Sequence, residues 1–203
     1  MSVYGDSLDI KGTGLILGIP SLTDDGDFQN TLLGIGKAEG NYKKRRLVPF
    51  GEFVPMESHL RGVISFFDLP MSRNIPGPSI QSPLTINGKN ISSSICYEIA
   101  YPDLVRRADD DPAFILTVSN DTWFGSSIGP WQHLQLARMR ALENERWLIR
   151  ATNNGITAVI NSKGQVLASL PQFTKGVLRQ DVEMRSGHTP CLLYTSPSPR
   201  DRG

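Results

Sequence analysis

The chain has 203 residues, enough for one domain, and its 21 Lys and Arg against 20 Asp and Glu leave a net charge of +1. That balance argues against the clustered basic surplus of a nucleic-acid-binding surface, so no nucleic-acid partner is expected. Hydrophobic residues at 39% and charged residues at 20% support a packed core and exclude a disordered chain.

The 19 glycines and 14 prolines suit a loop-rich α/β domain better than a helical bundle. No uncharged apolar run approaches the roughly 18–20 residues that span a bilayer. The start lacks the basic and then apolar regions of a signal peptide. The polypeptide as it stands is expected neither to span a membrane nor to export itself.

In chain order, the apolar runs Leu15–Ile19 and Thr31–Ile35 read as two strands, with a turn through Asp24–Asp27. The basic tract Lys43–Arg46 reads largely as a solvated loop and runs into Leu47–Pro55. Residues 56–71 predict a short helix and then an unusually apolar stretch, in which Phe66, Phe67, Leu69, Pro70 and Met71 are expected to be exposed and to face lipid. Leu84–Cys96 predicts a hairpin turning at Asn87-Gly88. A helix is expected from about Pro102, ending near Asp109–Asp111. Ala113–Ser119 is a continuous apolar run, as in a strand buried on both faces.

A polar–aromatic loop follows at Asn120–Gly125, and then a long helix is predicted from about Pro130 to Arg150. On that helix Leu134, Ala137, Ala141 and Leu148 share one face. Glu143 and Arg146 lie opposite, with Arg140 to one side, while Arg138 and Glu145 fall near the apolar face, where they are expected to be buried and paired. Ile156–Ile160 and Gln165–Leu170 make a further hairpin around Lys163-Gly164. Residues 191–203 have no periodicity. They are expected to be a non-native tail that packs against nothing, which leaves Cys96 as the native cysteine.

Two cysteines cannot make a disulfide framework, and neither they nor the scattered His59, His133 and His188 show metal-ligand spacing. No metal or cofactor is expected. Cys96 stands where a strand ends, before Tyr97-Glu98. A nucleophile at such a junction is presented at the sheet edge, beside a backbone N–H available to an oxyanion. A thiol needs a nearby cation or base to attack. Lys44, Glu52 and the Asn120–Gly125 loop are the candidates to accompany it. No histidine has an obvious acidic partner in the sequence.

From about Gly14 to Pro190 the sequence resembles the apolipoprotein N-acyltransferase branch of the nitrilase (carbon–nitrogen hydrolase) superfamily. The residues that carry this are Leu47–Pro55 (LVPFGEFVP), Ile95–Glu98 (ICYE), Ser119–Gly125 (SNDTWFG), Ile128–His133 (IGPWQH), Ala137–Glu143 (ARMRALE) and Thr152–Ala158 (TNNGITA). The resemblance implies a nitrilase-type α/β fold, a four-layer α-β-β-α sandwich incomplete at its N-terminus, over residues 1–190. It implies a Glu–Lys–Cys catalytic set in which Cys96 is the nucleophile, Lys44 the lysine and Glu52 the supporting glutamate, with Tyr97 and Glu98 as supporting neighbours. It implies transfer of an acyl chain from a phospholipid donor, through a cysteine thioester, to the amine of a diacylglyceryl apolipoprotein acceptor. The setting implied is the periplasmic side of a bacterial inner membrane, reached through upstream helices.

The general-base glutamate of that family lies upstream of the lysine. Here Asp6, Asp9, Asp24, Asp25, Asp27 and Glu39 precede Lys44, and none follows an apolar strand in that context. The expectation is a partial chain that is inactive alone. A nitrilase-family amidase hydrolysing C–N bonds and a non-catalytic pseudoenzyme are the alternative readings.

Overall fold

Two nine-residue strands carry the first part of the chain back and forth, and the second of them buries Gln29, Thr31 and Leu32. The computed structural model describes residues 12–49, 51–53, 74–106 and 111–195, and the chain divides into two units, Met1–Ser82 and Pro83–Gly203.

In the first unit β1 (Gly14–Leu22) pairs antiparallel with β2 (Phe28–Gly36), Gly14 opposite Gly36 and Leu22 opposite Phe28. The turn between them lies at the expected acidic residues: Asp27 N–H donates to the Thr23 hydroxyl at 3.0 Å, and Gly26 takes φ +84°. After the two-residue β3 (Ala38–Glu39), β4 (Asn41–Lys43) pairs with the other edge of β2, with Tyr42 opposite Leu32. Both of those side chains are buried. Gly77 passes so close to this strand that an added Cβ would lie 2.5 Å from the Lys43 Cβ. The helix expected within 56–71, and the apolar segment Phe66–Met71, lie outside the described residues.

In the second unit β5 (Leu84–Ile86) and β6 (Lys89–Ile95) form the expected hairpin. Asn87 and Gly88 turn it with φ +50° and +70°, the left-handed pair that matches the twist of the strands. The six strands of this unit run in the order β10-β9-β8-β7-β6-β5. β7 (Phe114–Asn120) lies parallel to β6 on one side and to β8 (Leu148–Asn153) on the other. β9 (Ala158–Ile160) and β10 (Val166–Ser169) close the edge antiparallel. Parallel neighbours require crossovers. The first includes a short helix, Pro102–Val105, and the second the long helix Gly129–Asn144. Ile99, Val105, Leu134, Ala137 and Ala141 pack with Ile115, Leu148 and Ile160 of the strands into one core.

The long helix is shorter than its periodicity predicts. Glu145 takes φ +50° and caps it, its N–H directed to the Ala141 and Leu142 carbonyls, and three residues later the chain is already in β8. Leu148, placed on the helical face by the sequence, is instead the buried first residue of that strand. The expected burial and pairing of Arg138 and Glu145 is also corrected. Glu145 is exposed and pairs with Arg185 at 2.9 Å, and half-buried Arg138 donates to the Gly164 carbonyl at 2.7 Å. Among the described residues the buried arginines are Arg140, Arg146 and Arg150. The helix at Pro102 ends at Val105, and residues 107–110 lie outside the described residues.

The start of the tail packs, contrary to expectation. Pro190–Thr195 forms a helical turn, and Leu192 is 6% exposed. The Thr189 hydroxyl donates to the Glu143 carbonyl at 2.8 Å and so docks this turn on the end of the long helix. Residues 196–203 lie outside the described residues.

Candidate active site

The chemically equipped residues fall in two groups, one in each unit. In the first, Lys44 directly follows β4 and continues its pairing: its N–H donates to the Asn30 carbonyl at 2.8 Å, and its carbonyl accepts from Gly77 N at 2.7 Å. Four residues on, a tight turn returns the chain, with Glu52 N–H on the Val48 carbonyl at 2.9 Å. The turn delivers the Glu52 carboxylate to the Lys44 ammonium, whose Nζ lies 2.7 Å from Oε1 and 2.6 Å from Oε2. Asn30 Nδ2 donates to Oε1 and the Val48 N–H to Oε2, each at 2.8 Å. Lys44 is 1% exposed, so one cation of the basic tract is buried. Burial of an ammonium is tolerated only with such a partner. The arrangement fixes the direction of a lysine head and leaves the carboxylate committed to it.

In the second unit, β6 ends at Ile95 and the chain turns at Cys96 into a 3₁₀ segment, Cys96–Ala100. Cys96 takes φ +56°. For a residue with a Cβ this left-handed conformation costs roughly 1–2 kcal/mol and persists only where the surroundings impose it. Two supports are visible. The fully buried Glu98 accepts the Ile95 N–H at 2.8 Å, tying the turn to the strand it leaves. From the other side the His133 ring reaches the Cys96 carbonyl, with Nε2 3.1 Å from the oxygen. Tyr97 points outward and meets Tyr101 edge-on at 6.0 Å.

His133 belongs to a fully buried polar group. Its Nδ1 lies 3.1 Å from Asp121 Oδ1 and 3.0 Å from Arg150 Nη2. Arg150 Nη2 also meets Asp121 Oδ2 at 2.6 Å, and its Nε donates to the Ile156 carbonyl at 3.2 Å. The Ser119 hydroxyl donates to Asp121 Oδ1 at 2.5 Å. Burial by itself would raise the Asp121 carboxyl. The His133 hydrogen bond, the Arg150 charge and the Ser119 hydroxyl outweigh it and hold the group below its ordinary value. Burial pulls the Arg150 guanidinium below its ordinary value, opposed by Asp121 and, more weakly, by charge at Cys96. Gly155 makes room for the group, because a Cβ there would strike the Asp121 carboxylate. Phe124 closes it on the side of the loop, 6.2 Å from the imidazole.

Thus Cys96 stands at the strand end that the sequence indicates, Lys44 and Glu52 form one ion pair, Glu98 braces the turn and Tyr97 is exposed. The sequence reading pointed to the Asn120–Gly125 loop, which holds Asp121, but missed His133 and Arg150 as its partners. The expectation that no histidine has an acidic partner is corrected by the contact of His133 with Asp121. A signal for Arg150 was present: Leu148 and Arg150 occupy alternate positions of a strand, so an apolar core residue and a charged one share a face.

Comparison with known proteins agrees with this architecture. The carbon-nitrogen hydrolase family model matches residues 8–187. The chain is 48% identical over 198 residues to an apolipoprotein N-acyltransferase of Pseudomonas aeruginosa, covering 96% of this chain and 39% of that protein. It is 49% identical over 167 residues to the one from Azotobacter vinelandii, covering 82% of this chain and 32% of the relative. The chain therefore spans about two fifths or less of the length of these relatives. Among solved structures, a carbon-nitrogen hydrolase from Helicobacter pylori superposes with a TM-score of 0.60 at 14% identity, covering 79% of this chain and 59% of that one. A Nesterenkonia amidase of the nitrilase superfamily gives 0.59 at 19% identity, covering 91% and 65%. These two likenesses show the nitrilase-type α/β fold.

Proposed function

The chain belongs to the carbon-nitrogen hydrolase family, and we propose that it forms part of the catalytic domain of an apolipoprotein N-acyltransferase. The observation that carries this reading is 48% identity to a relative of that name, spread over 96% of the chain. In the proposed reaction the Cys96 thiol gives up its proton and the sulfur attacks the ester carbonyl of a phospholipid acyl chain. The tetrahedral oxyanion collapses, the ester C–O bond breaks, and a lysophospholipid leaves with a proton. The amine of an S-diacylglyceryl cysteine then attacks the thioester. An amide forms, the C–S bond breaks, and the amine proton returns the thiol.

Cys96 is the nucleophile in this scheme and its left-handed turn favours the role. The Tyr97 backbone N–H is proposed as an oxyanion donor, and Lys44, oriented by Glu52, as the ammonium of the set. Loss of one such donor typically costs about 10²–10³ in rate. The proposed setting is the periplasmic side of a bacterial inner membrane; among the described residues no helix is long and apolar enough to cross a membrane.

Intact-mass analysis of the full-length protein that carries this chain, after incubation with phospholipid vesicles and without acceptor, tests the reading. The expected result is one added acyl chain, absent in Cys96→Ala, that passes to a diacylglyceryl peptide as an amide. An adduct that survives in Cys96→Ala refutes the assignment of the nucleophile. Release only of free fatty acid, with no amide formed, refutes transfer in favour of hydrolysis.

A further inference from the structure

The proposed reaction uses the thiol of Cys96 but leaves the buried group behind it without a task. Asp121 and Arg150 are both 0% exposed and His133 is 2% exposed, so solvent does not satisfy them. Each comes from a different element: Asp121 follows β7, His133 lies in the second turn of the long helix, and Arg150 is the third residue of β8. Their shared point of contact with the proposed nucleophile is one atom, the Cys96 carbonyl oxygen.

We propose that His133 is a positioning residue for Cys96, donating Nε2–H to its carbonyl oxygen and holding the nucleophile in its left-handed turn, with Asp121 and Arg150 fixing the ring. The proposal rests on Cys96 being the nucleophile. A carbonyl oxygen only accepts, so the Nε2 that faces it at 3.1 Å carries hydrogen. Nδ1 has two neighbours of opposite kind. With Nδ1 bare, Arg150 Nη2 donates to it at 3.0 Å; with Nδ1 protonated, it donates to Asp121 Oδ1 at 3.1 Å. In either state the ring keeps its orientation and Nε2 keeps its hydrogen. The hydrogen bond to Cys96 is therefore made in either state of the imidazole, as suits a device that orients rather than one that exchanges protons.

Arg150 has the further anchor of the Ile156 carbonyl, and Ser119 completes Asp121, so the ring is referred to strands β7 and β8 and to the loop before β9. Glu98 holds the N–H of Ile95, the residue before Cys96, and His133 the carbonyl of Cys96 itself, so the strained residue is braced from both directions. A nucleophile displaced by about 1 Å loses on the order of 10²-fold in rate, which makes such bracing consequential.

The test uses the full 203-residue chain carrying Cys191→Ser, labelled with carbonyl-¹³C cysteine so that Cys96 gives the single signal. Iodoacetamide alkylation at fixed pH is measured beside it, with glutathione as reference. His133→Leu is expected to move the Cys96 carbonyl resonance upfield and slow alkylation by about tenfold or more. His133→Gln, whose amide N–H can reach the same oxygen, is expected to restore both. A resonance unmoved in His133→Leu overturns the proposal, as does a moved resonance with unchanged alkylation, which marks the bond as purely structural. If His133→Leu does not fold, His133→Gln decides: alkylation far below the parent chain in a folded His133→Gln overturns it. Parent Cys96 reacting no faster than glutathione refutes the nucleophile assignment itself and leaves nothing to position. A reactive Cys96 indifferent to both variants refutes only the role of His133.

Discussion

The Lys44 ammonium lies within 2.7 Å of both oxygens of the Glu52 carboxylate, so a residue from the end of a strand and one from the turn eight positions later form a single bidentate unit. The carboxylate also takes the Asn30 amide and the Val48 N–H. Glu52 therefore organises its own turn and the lysine together.

The first prediction follows from this double duty. Glu52→Gln leaves Lys44 buried beside a neutral amide and is expected to cost up to about 3 kcal/mol in stability, at the low end for breaking a buried pair because Glu52 retains some exposure. Lys44→Met with Glu52→Gln removes the uncompensated charge and is expected to regain part of it. Urea unfolding of the single and double variants measures both; a Glu52→Gln chain as stable as the parent contradicts the assignment.

Cys96 invites the opposite kind of substitution. Glycine accepts φ +56° without penalty, so Cys96→Gly is expected to be more stable than Cys96→Ala by about 1 kcal/mol. It should be inactive in acyl transfer all the same. Thermal melts of the two variants decide it, and an alanine variant equal to glycine shows that the turn stores no strain.

Acid should act on the second unit through Asp121. Its carboxyl is held below the ordinary 3.8 in the folded chain, so the unfolded state binds the proton more readily. The stabilisation is complete above the unfolded value and is lost as pH falls through the lower, folded one. Asp121→Asn is expected to be less stable than the parent at neutral pH, with the difference shrinking below pH 4. Unfolding free energies across that range give the answer, and a pH-independent gap removes the carboxylate from the explanation.

Glu145 supplies a prediction about the fold alone. It sits in the left-handed region at the end of the long helix, where glycine is the favoured residue. Glu145→Gly is expected to stabilise the chain by about 0.5–1 kcal/mol, less what the exposed pair with Arg185 contributes. A clear loss of stability is the outcome that contradicts the helix end at this residue.

Much of this was legible where the signal is local. Asn87-Gly88 specifies its hairpin by backbone preference alone, and the apolar run before Ser119 specifies β7 by its uninterrupted burial. Cys96 was identifiable because a strand end and a polar turn meet in adjacent residues. The end of the long helix was not, since Leu148 falls by coincidence on the helical apolar face as well as on the buried face of a strand. Only the left-handed Glu145 separates the two, and glutamate is an unremarked residue for that task. The Asp121–His133–Arg150 group was hidden for a different reason: its members stand 12 and 17 residues apart and meet only because two parallel strands are joined through a helix. Lys44 was readable as a candidate, whereas its burial was not, because three neighbouring cations made the tract look solvated.

The parallel register of β6, β7 and β8 also orders events in time. Ile95 ends opposite Val118, and Asn120 opposite Asn153, so the chain leaves three strands in succession at the same edge. Cys96 follows the first of these strands and Asp121 the second, His133 lies in the helix that leads to the third, and Arg150 lies within the third. During synthesis the cysteine thus exists for more than fifty residues of further chain before its brace is complete. Until β8 docks, the buried group that meets the Cys96 carbonyl lacks Arg150. On the proposed bracing, the Cys96 thiol reaches its final orientation only as the second crossover closes, so that its reactivity reports completed folding.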